Sequence, residues 1–166
     1  LINAATGMRA AGQYEEAEQL YRQALDAAMS AFSPTDRRLA ALHNNMSMLY
    51  SETGRLNQAK RELEQALDLL EQSSPDASAD IDVASTHTNI ALLLLQMDRY
   101  WASDAIQHAQ KALTIYRTGH LEHSAHYASA LAGYAQACYM AGCLQDAVSG
   151  YEHALSVIEE CYGRNT

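Results

Sequence analysis

Four segments of the chain repeat one pattern at nearly constant spacing. They read GQYEEAEQLYRQAL (12–25), GRLNQAKRELEQAL (54–67), DRYWASDAIQHAQKAL (98–113) and GCLQDAVSGYEHAL (142–155). Each opens on Gly or Asp and closes on Ala-Leu. The openings Gly12, Gly54, Asp98 and Gly142 lie 42, 44 and 44 residues apart, and the closing alanines Ala24, Ala66, Ala112 and Ala154 lie 42, 46 and 42 apart. A period of this length marks an array of like units, none of which can bury its apolar face alone, so that stacking supplies the core. The third copy carries two extra residues between Asp98 and Ala105. Two residues would rotate a continuous helix by about 200°. The insertion therefore belongs in the turn, around Tyr100, Trp101 and Ala102.

Two apolar runs of helical period make up each unit. Upstream of the openings lie Leu42, Met46, Leu49 and Tyr50, then Ile90, Leu93, Leu94 and Met97, then Leu131, Tyr134, Ala135 and Cys138. Downstream, Ala59, Leu63, Ala66, Leu67 and Leu70 share one helix face. The pattern predicts helices over 1–11, 14–31, 37–53, 56–72, 82–97, 102–117, 123–141 and 144–161. The Gly or Asp supplies the reversal inside each pair. Turn signals join the pairs: SPTD (33–36), SSPDASAD (73–80) and GHLEHS (119–124). The fold class is all-α, four helix pairs over repeats 1–34, 35–76, 77–121 and 122–166 of a single array.

Composition narrows the function. Asp and Glu number 20 against 11 Lys and Arg, for a net charge of −9. That balance argues against nucleic acid and anionic membrane as partners, because both select a basic surface. No apolar run approaches the roughly 18 residues that span a membrane, and no secretory signal is present. Three cysteines, Cys138, Cys143 and Cys161, cannot all pair and form no C-x-x-C. They fit a reducing cytoplasm. The chain opens on Leu, inside a helical pattern, and reads as a piece of something longer.

The recurring Gly-x-Tyr/Leu-x-x-Ala-x-x-x-Tyr/Leu-x-x-Ala-Leu resembles the tetratricopeptide repeat across all four units. Its period exceeds the usual 34 residues and is similar to the 42-residue subclass of kinesin light chains and related bacterial arrays. The Trp of the general signature is replaced by Leu1, His43, His87 and Leu131, and the proline after the second helix is shifted or missing. The resemblance implies a right-handed α-α superhelix, a solenoid whose first helices line a concave groove.

Aligned on that resemblance, Asn3, Asn45 and Asn89 share one register, and Gly133 takes the fourth place. In several peptide-binding arrays of the family, asparagines at this place hydrogen-bond the backbone of an extended peptide. A primary amide offers a donor and an acceptor side by side, which complements a peptide unit. Asn44 has no counterpart, since Ile2, Thr88 and Ala132 stand at its place, and reads as a local groove contact. Other groove-facing places are Thr6, Met48, Leu92 and Gln136, then Arg9, Ser51, Leu95 and Tyr139, then Ala10, Glu52, Gln96 and Met140. This wall is apolar and uncharged except for Arg9 and Glu52. The basic clamp of the chaperone-binding subclass is missing, because its places hold Ile2, Thr6, Ser85 and Asn89.

Catalytic patterns are weak. HLEHSAH spaces His120, His123 and His126 three apart, but no carboxylate or cysteine joins them at metal-site spacing. His43 and His87 are equivalent by repeat and read as partly buried, hydrogen-bonded residues, and Trp101 as packing over the insertion. No phosphate loop or nucleophile elbow occurs. The expectation is a cofactor-free, non-enzymatic scaffold that binds an extended peptide segment of a protein partner. The contacts would be Asn3, Asn45, Asn89, Asn44, Met48, Leu92, Gln136 and Tyr139. The alternative is self-association, or docking within a longer chain, through uncapped terminal helices.

Overall fold

The computed structural model describes residues 2–34, 36–73 and 80–163. Leu1, Thr35 of the SPTD link, residues 74–79 of the SSPDASAD link and 164–166 lie outside the described residues. Eight α-helices follow in order: α1 (Ile2–Ala10), α2 (Tyr14–Ala31), α3 (Arg38–Glu52), α4 (Leu56–Ser73), α5 (Ile81–Met97), α6 (Ala102–Thr118), α7 (Ala125–Ala141) and α8 (Leu144–Tyr162). No strand occurs among the described residues. Every helix end lies within two residues of its predicted place.

The reversals inside the pairs explain that agreement. Gly12, Gly54 and Gly142 hold φ of 82°, 80° and 88°, a region where a Cβ is strained and glycine is not. Beyond each glycine one N–H reaches five residues back: Gln13 to Met8, Arg55 to Tyr50 and Cys143 to Cys138, each at 2.8 Å. These bonds satisfy carbonyls left over at the helix end. The third pair does it differently. Asp98 is extended, and its carboxylate accepts from Tyr100 N–H at 2.9 Å. A single 3-10 turn, Arg99–Trp101, then absorbs the two extra residues before α6 begins. The insertion sits in the turn, as the 200° argument requires.

Caps set the other starts. Asp80 accepts from the N–H groups of Asp82 and Val83, and starts α5 at Ile81. Ser124 accepts from Tyr127 N–H, which delays α7 to Ala125 rather than 123. Asp36 accepts both the N–H and the guanidinium of Arg38 at the head of α3.

The chain divides into two compact units, 1–75 and 76–166, each holding two helix pairs. In both, small residues bring the two helices of a pair together. Ala17, Ala59, Ala105 and Ala147 occupy one repeat position, and all are 3% exposed or less. The closing alanines Ala24, Ala66, Ala112 and Ala154 are buried two helical turns further along the same face.

Contacts between neighbouring pairs differ in kind. In the first unit Glu18 of α2 accepts from Arg22 and, through both oxygens, from Arg55 after α3. These cations hold its carboxyl below the usual range, Arg55 contributing most. In the second unit the join is aromatic: Tyr116 of α6 meets Tyr127 of α7 edge-on at 6.5 Å, and Arg117 Nε donates to the Tyr127 hydroxyl at 2.9 Å.

Candidate binding faces

On the first helices of unit 1, Asn3 is exposed on α1 and Asn45 half-buried on α3. Met48, one turn beyond Asn45, is 45% exposed. Asn44 behaves otherwise. Its Nδ2 donates back to the Ala40 carbonyl at 3.2 Å, while its Oδ1 is enclosed with no hydrogen-bond partner. Half its amide is spent on its own helix. Arg9 and Glu52, the two charges of the expected groove wall, form an ion pair with each other. Each charge of that wall is thus met by the other.

Unit 2 presents Asn89, exposed on α5, with Gln136 exposed and Tyr139 59% exposed on α7. Leu92 is half-buried, and the reason is Gly133. A Cβ at Gly133 would stand 3.3 Å from Leu92 Cδ2. At the fourth place of the asparagine register, α5 thus sets the tip of Leu92 close to where a side chain would project from α7.

The histidines fall into a pattern that the sequence reading left unpaired. His43 Nδ1 meets Glu62 Oε2 at 2.5 Å, between α3 and α4. His87 Nδ1 meets His108 Nδ1 at 2.8 Å, between α5 and α6. Counted from the closing alanines, Glu62 and His108 occupy the same repeat position, so the two contacts are counterparts. Burial, reinforced by His108 and then Lys111, lowers the His87 pKa to about 4. A bond between two imidazoles needs a donor and an acceptor nitrogen, so at least one ring is neutral.

Within HLEHSAH, His123 pairs with Glu160 of α8 at 2.6 Å, and Cys161 Sγ donates to the His123 carbonyl. The segment acts as a link fastened to the last helix. Trp101 is half-buried, with the exposed Tyr100 ring edge-on at 5.3 Å. A cleft of about 510 Å³ opens among α6, α7 and α8, its walls including Arg117, Tyr134, Asp146 and His153. Nothing in the repeat spacing marks it, because its residues come from three helices. No described helix is long and apolar enough to cross a membrane.

Residues 1–72 match the family model of the tetratricopeptide repeat. No curated protein sequence matches the chain. Among solved structures it is similar to BtubC (BKLC) from P. vanneervenii, with a TM-score of 0.80 and 25% identity over 92% of this chain and 59% of that one. It is also similar to the nearly identical TPR-like repeats of a kinesin light chain from Podosopora anserina, with a TM-score of 0.75, 16% identity, and 95% and 73% of the two chains covered. The chain thus spans less than two thirds of the BtubC chain. The glycine reversals, the buried alanine positions and the shared fold agree: residues 1–72 match the tetratricopeptide-repeat family, and the chain as a whole has the fold of tetratricopeptide-repeat arrays.

Proposed function

We propose that the chain is a non-catalytic scaffold that holds an extended segment of a protein partner on its first-helix faces. The observation that carries this reading is the asparagine register. Asn3, Asn45 and Asn89 recur at one repeat position, Asn3 and Asn89 exposed and Asn45 half-buried. Asparagine costs a helix interior roughly 0.6 kcal/mol against alanine, and a bond to a bound peptide backbone returns about 0.5–1.5 kcal/mol. Around the amides stand Met48 in unit 1 and Leu92, Gln136 and Tyr139 in unit 2, which suit apolar and neutral side chains. Asn44 contributes less, since its Nδ2 already serves Ala40.

The test uses 12-residue peptides selected from a random display library on the intact chain. Calorimetry then compares the wild type with Asn45→Ala and Asn89→Ala, with circular dichroism as the folding control. Each substitution is expected to weaken binding by about two- to tenfold. Unchanged affinity with an intact fold would sink the proposal.

A further inference from the structure

The turn between α7 and α8 brings two cysteines together. Cys143 N–H donates to the Cys138 carbonyl at 2.8 Å, across the left-handed Gly142. With standard backbone dimensions, that bond limits the Cα–Cα separation of the two residues to about 6.7 Å. A disulfide spans about 4.4–6.8 Å between Cα atoms.

The repeat shows where side chains at these two places go. The same bond joins Gln13 to Met8 and Arg55 to Tyr50. In the second of these turns the Arg55 guanidinium lies over the Tyr50 ring, 4.7 Å from its centre. A turn of this kind thus sets its two end side chains against each other. Of the three glycine turns, the one between α7 and α8 alone has a thiol at both ends.

The two thiols differ in access. Cys143 is exposed, whereas Cys138 is 2% exposed. Burial holds the Cys138 thiol above the usual cysteine range against a hydrogen bond from Tyr134, and the charges of Asp146 and then Cys143 act in the same direction as burial. The third cysteine is engaged elsewhere, since Cys161 Sγ donates to the His123 carbonyl. We propose that Cys138 and Cys143 form a reversible modification site, in which the exposed thiol reacts with a small disulfide such as oxidised glutathione and the buried thiol resolves the adduct into a disulfide across the turn.

The Cys143 thiolate attacks one sulfur of oxidised glutathione and breaks its S–S bond. The first glutathione leaves as a thiolate and takes up the proton that Cys143 gave up. Cys138, deprotonated in turn, attacks Cys143 Sγ, and the second glutathione leaves in the same way. Two protein thiols are oxidised and one glutathione disulfide is reduced to two thiols. The crosslink ties the end of α7 to the head of α8, beside the cleft that Tyr134 and Asp146 line.

The whole chain carrying Cys161→Ser tests this, because serine keeps a donor for the His123 carbonyl. After incubation with excess oxidised glutathione, intact-mass spectrometry should show the loss of two hydrogens and no retained glutathione. Dithiothreitol should restore both thiols. With Cys138→Ser added, a glutathione adduct should persist on Cys143. With Cys143→Ser added instead, the remaining thiol should react about tenfold more slowly, because burial shields it. Circular dichroism checks folding, and Cys143→Ser alters only an exposed side chain. A glutathione adduct that persists on the Cys161→Ser chain, or disulfide-linked dimers on a non-reducing gel, would overturn the proposal. So would two thiols that stay free throughout, or a Cys138 that reacts as fast without Cys143 as with it.

Discussion

Repeats two and three place a histidine at the same point of their first helix and answer it differently. In the first unit His43 meets a carboxylate, Glu62. In the second, His87 meets another imidazole, His108. The first contact sets an imidazole ring against a carboxylate. The second cannot take up two protons, because two imidazolium rings would face each other at 2.8 Å inside a core where His87 is 3% exposed. The fourth repeat dispenses with polarity altogether, with Leu131 and Gly150 at the two places. One position in the helix pair is thus polar with a carboxylate partner, polar with a second imidazole, or apolar.

The largest expected effect is acid loss in unit 2. His87 holds a folded pKa of about 4 against an unfolded value near 6.5. The folded state therefore binds fewer protons than the unfolded one, and stability falls as pH drops from 6.5 toward 4. A shift of this size amounts to about 3 kcal/mol over the window, and nothing is lost above it. Trp101 is the single tryptophan and lies in unit 2, so its fluorescence in denaturant titrations reports that unit. The urea midpoint should fall between pH 6.5 and 4. His108→Glu should flatten the profile by giving His87 a carboxylate. A profile that stays steep in that variant would locate the acid sensitivity elsewhere.

The reciprocal exchange should be weaker. Glu62→His builds the imidazole pair in unit 1, between side chains that are 11% and 17% exposed in the parent. Partial hydration softens the repulsion, and we expect about 1–2 kcal/mol of acid-dependent loss. Circular dichroism follows both units while Trp101 follows one. The variant should therefore separate the two signals at pH 5, with Trp101 unchanged relative to the wild type.

Much of this architecture was legible before any coordinates. Gly12, Gly54 and Gly142 announce their turns because a left-handed φ leaves few residue choices. The alanine positions announce the close helix contacts because only small side chains fit there. The insertion could be placed by rotation alone. What stayed hidden depends on two faces at once. His108 was visible, and so was its equivalence to Glu62, but pairing either with a first-helix histidine requires the rotation of both helices. The Arg9–Glu52 pair and the half-spent amide of Asn44 are of the same sort. Gly133 was read only as the end of a register, whereas the structure sets Leu92 beside it.

The smallest effects concern Gly133 and Gly150, the two glycines inside helices of unit 2, and they should differ in sign. Either glycine costs its helix roughly 0.8–1 kcal/mol against alanine, so a neutral site would gain that much on substitution. At Gly150 the new Cβ would lie 2.9 Å from the Ala135 Cβ and 3.4 Å from its Cα. Both atoms are anchored to the backbone of α7, so the helices must part. Overpacking of this kind costs about 1–3 kcal/mol, and Gly150→Ala should destabilise by about 1 kcal/mol net. At Gly133 the neighbour is the methyl tip of Leu92, 3.3 Å away on a half-buried side chain that can rotate. Relief is cheap there, and Gly133→Ala should leave stability unchanged or raise it by up to about 0.5 kcal/mol. Trp101-monitored urea titrations at pH 7.5, above the histidine window, measure both. Equal losses at the two sites would mean that the α5–α7 contact is as rigid as α7–α8. The fourth repeat would then lack its asparagine for the same backbone reason that it lacks a side chain at 150.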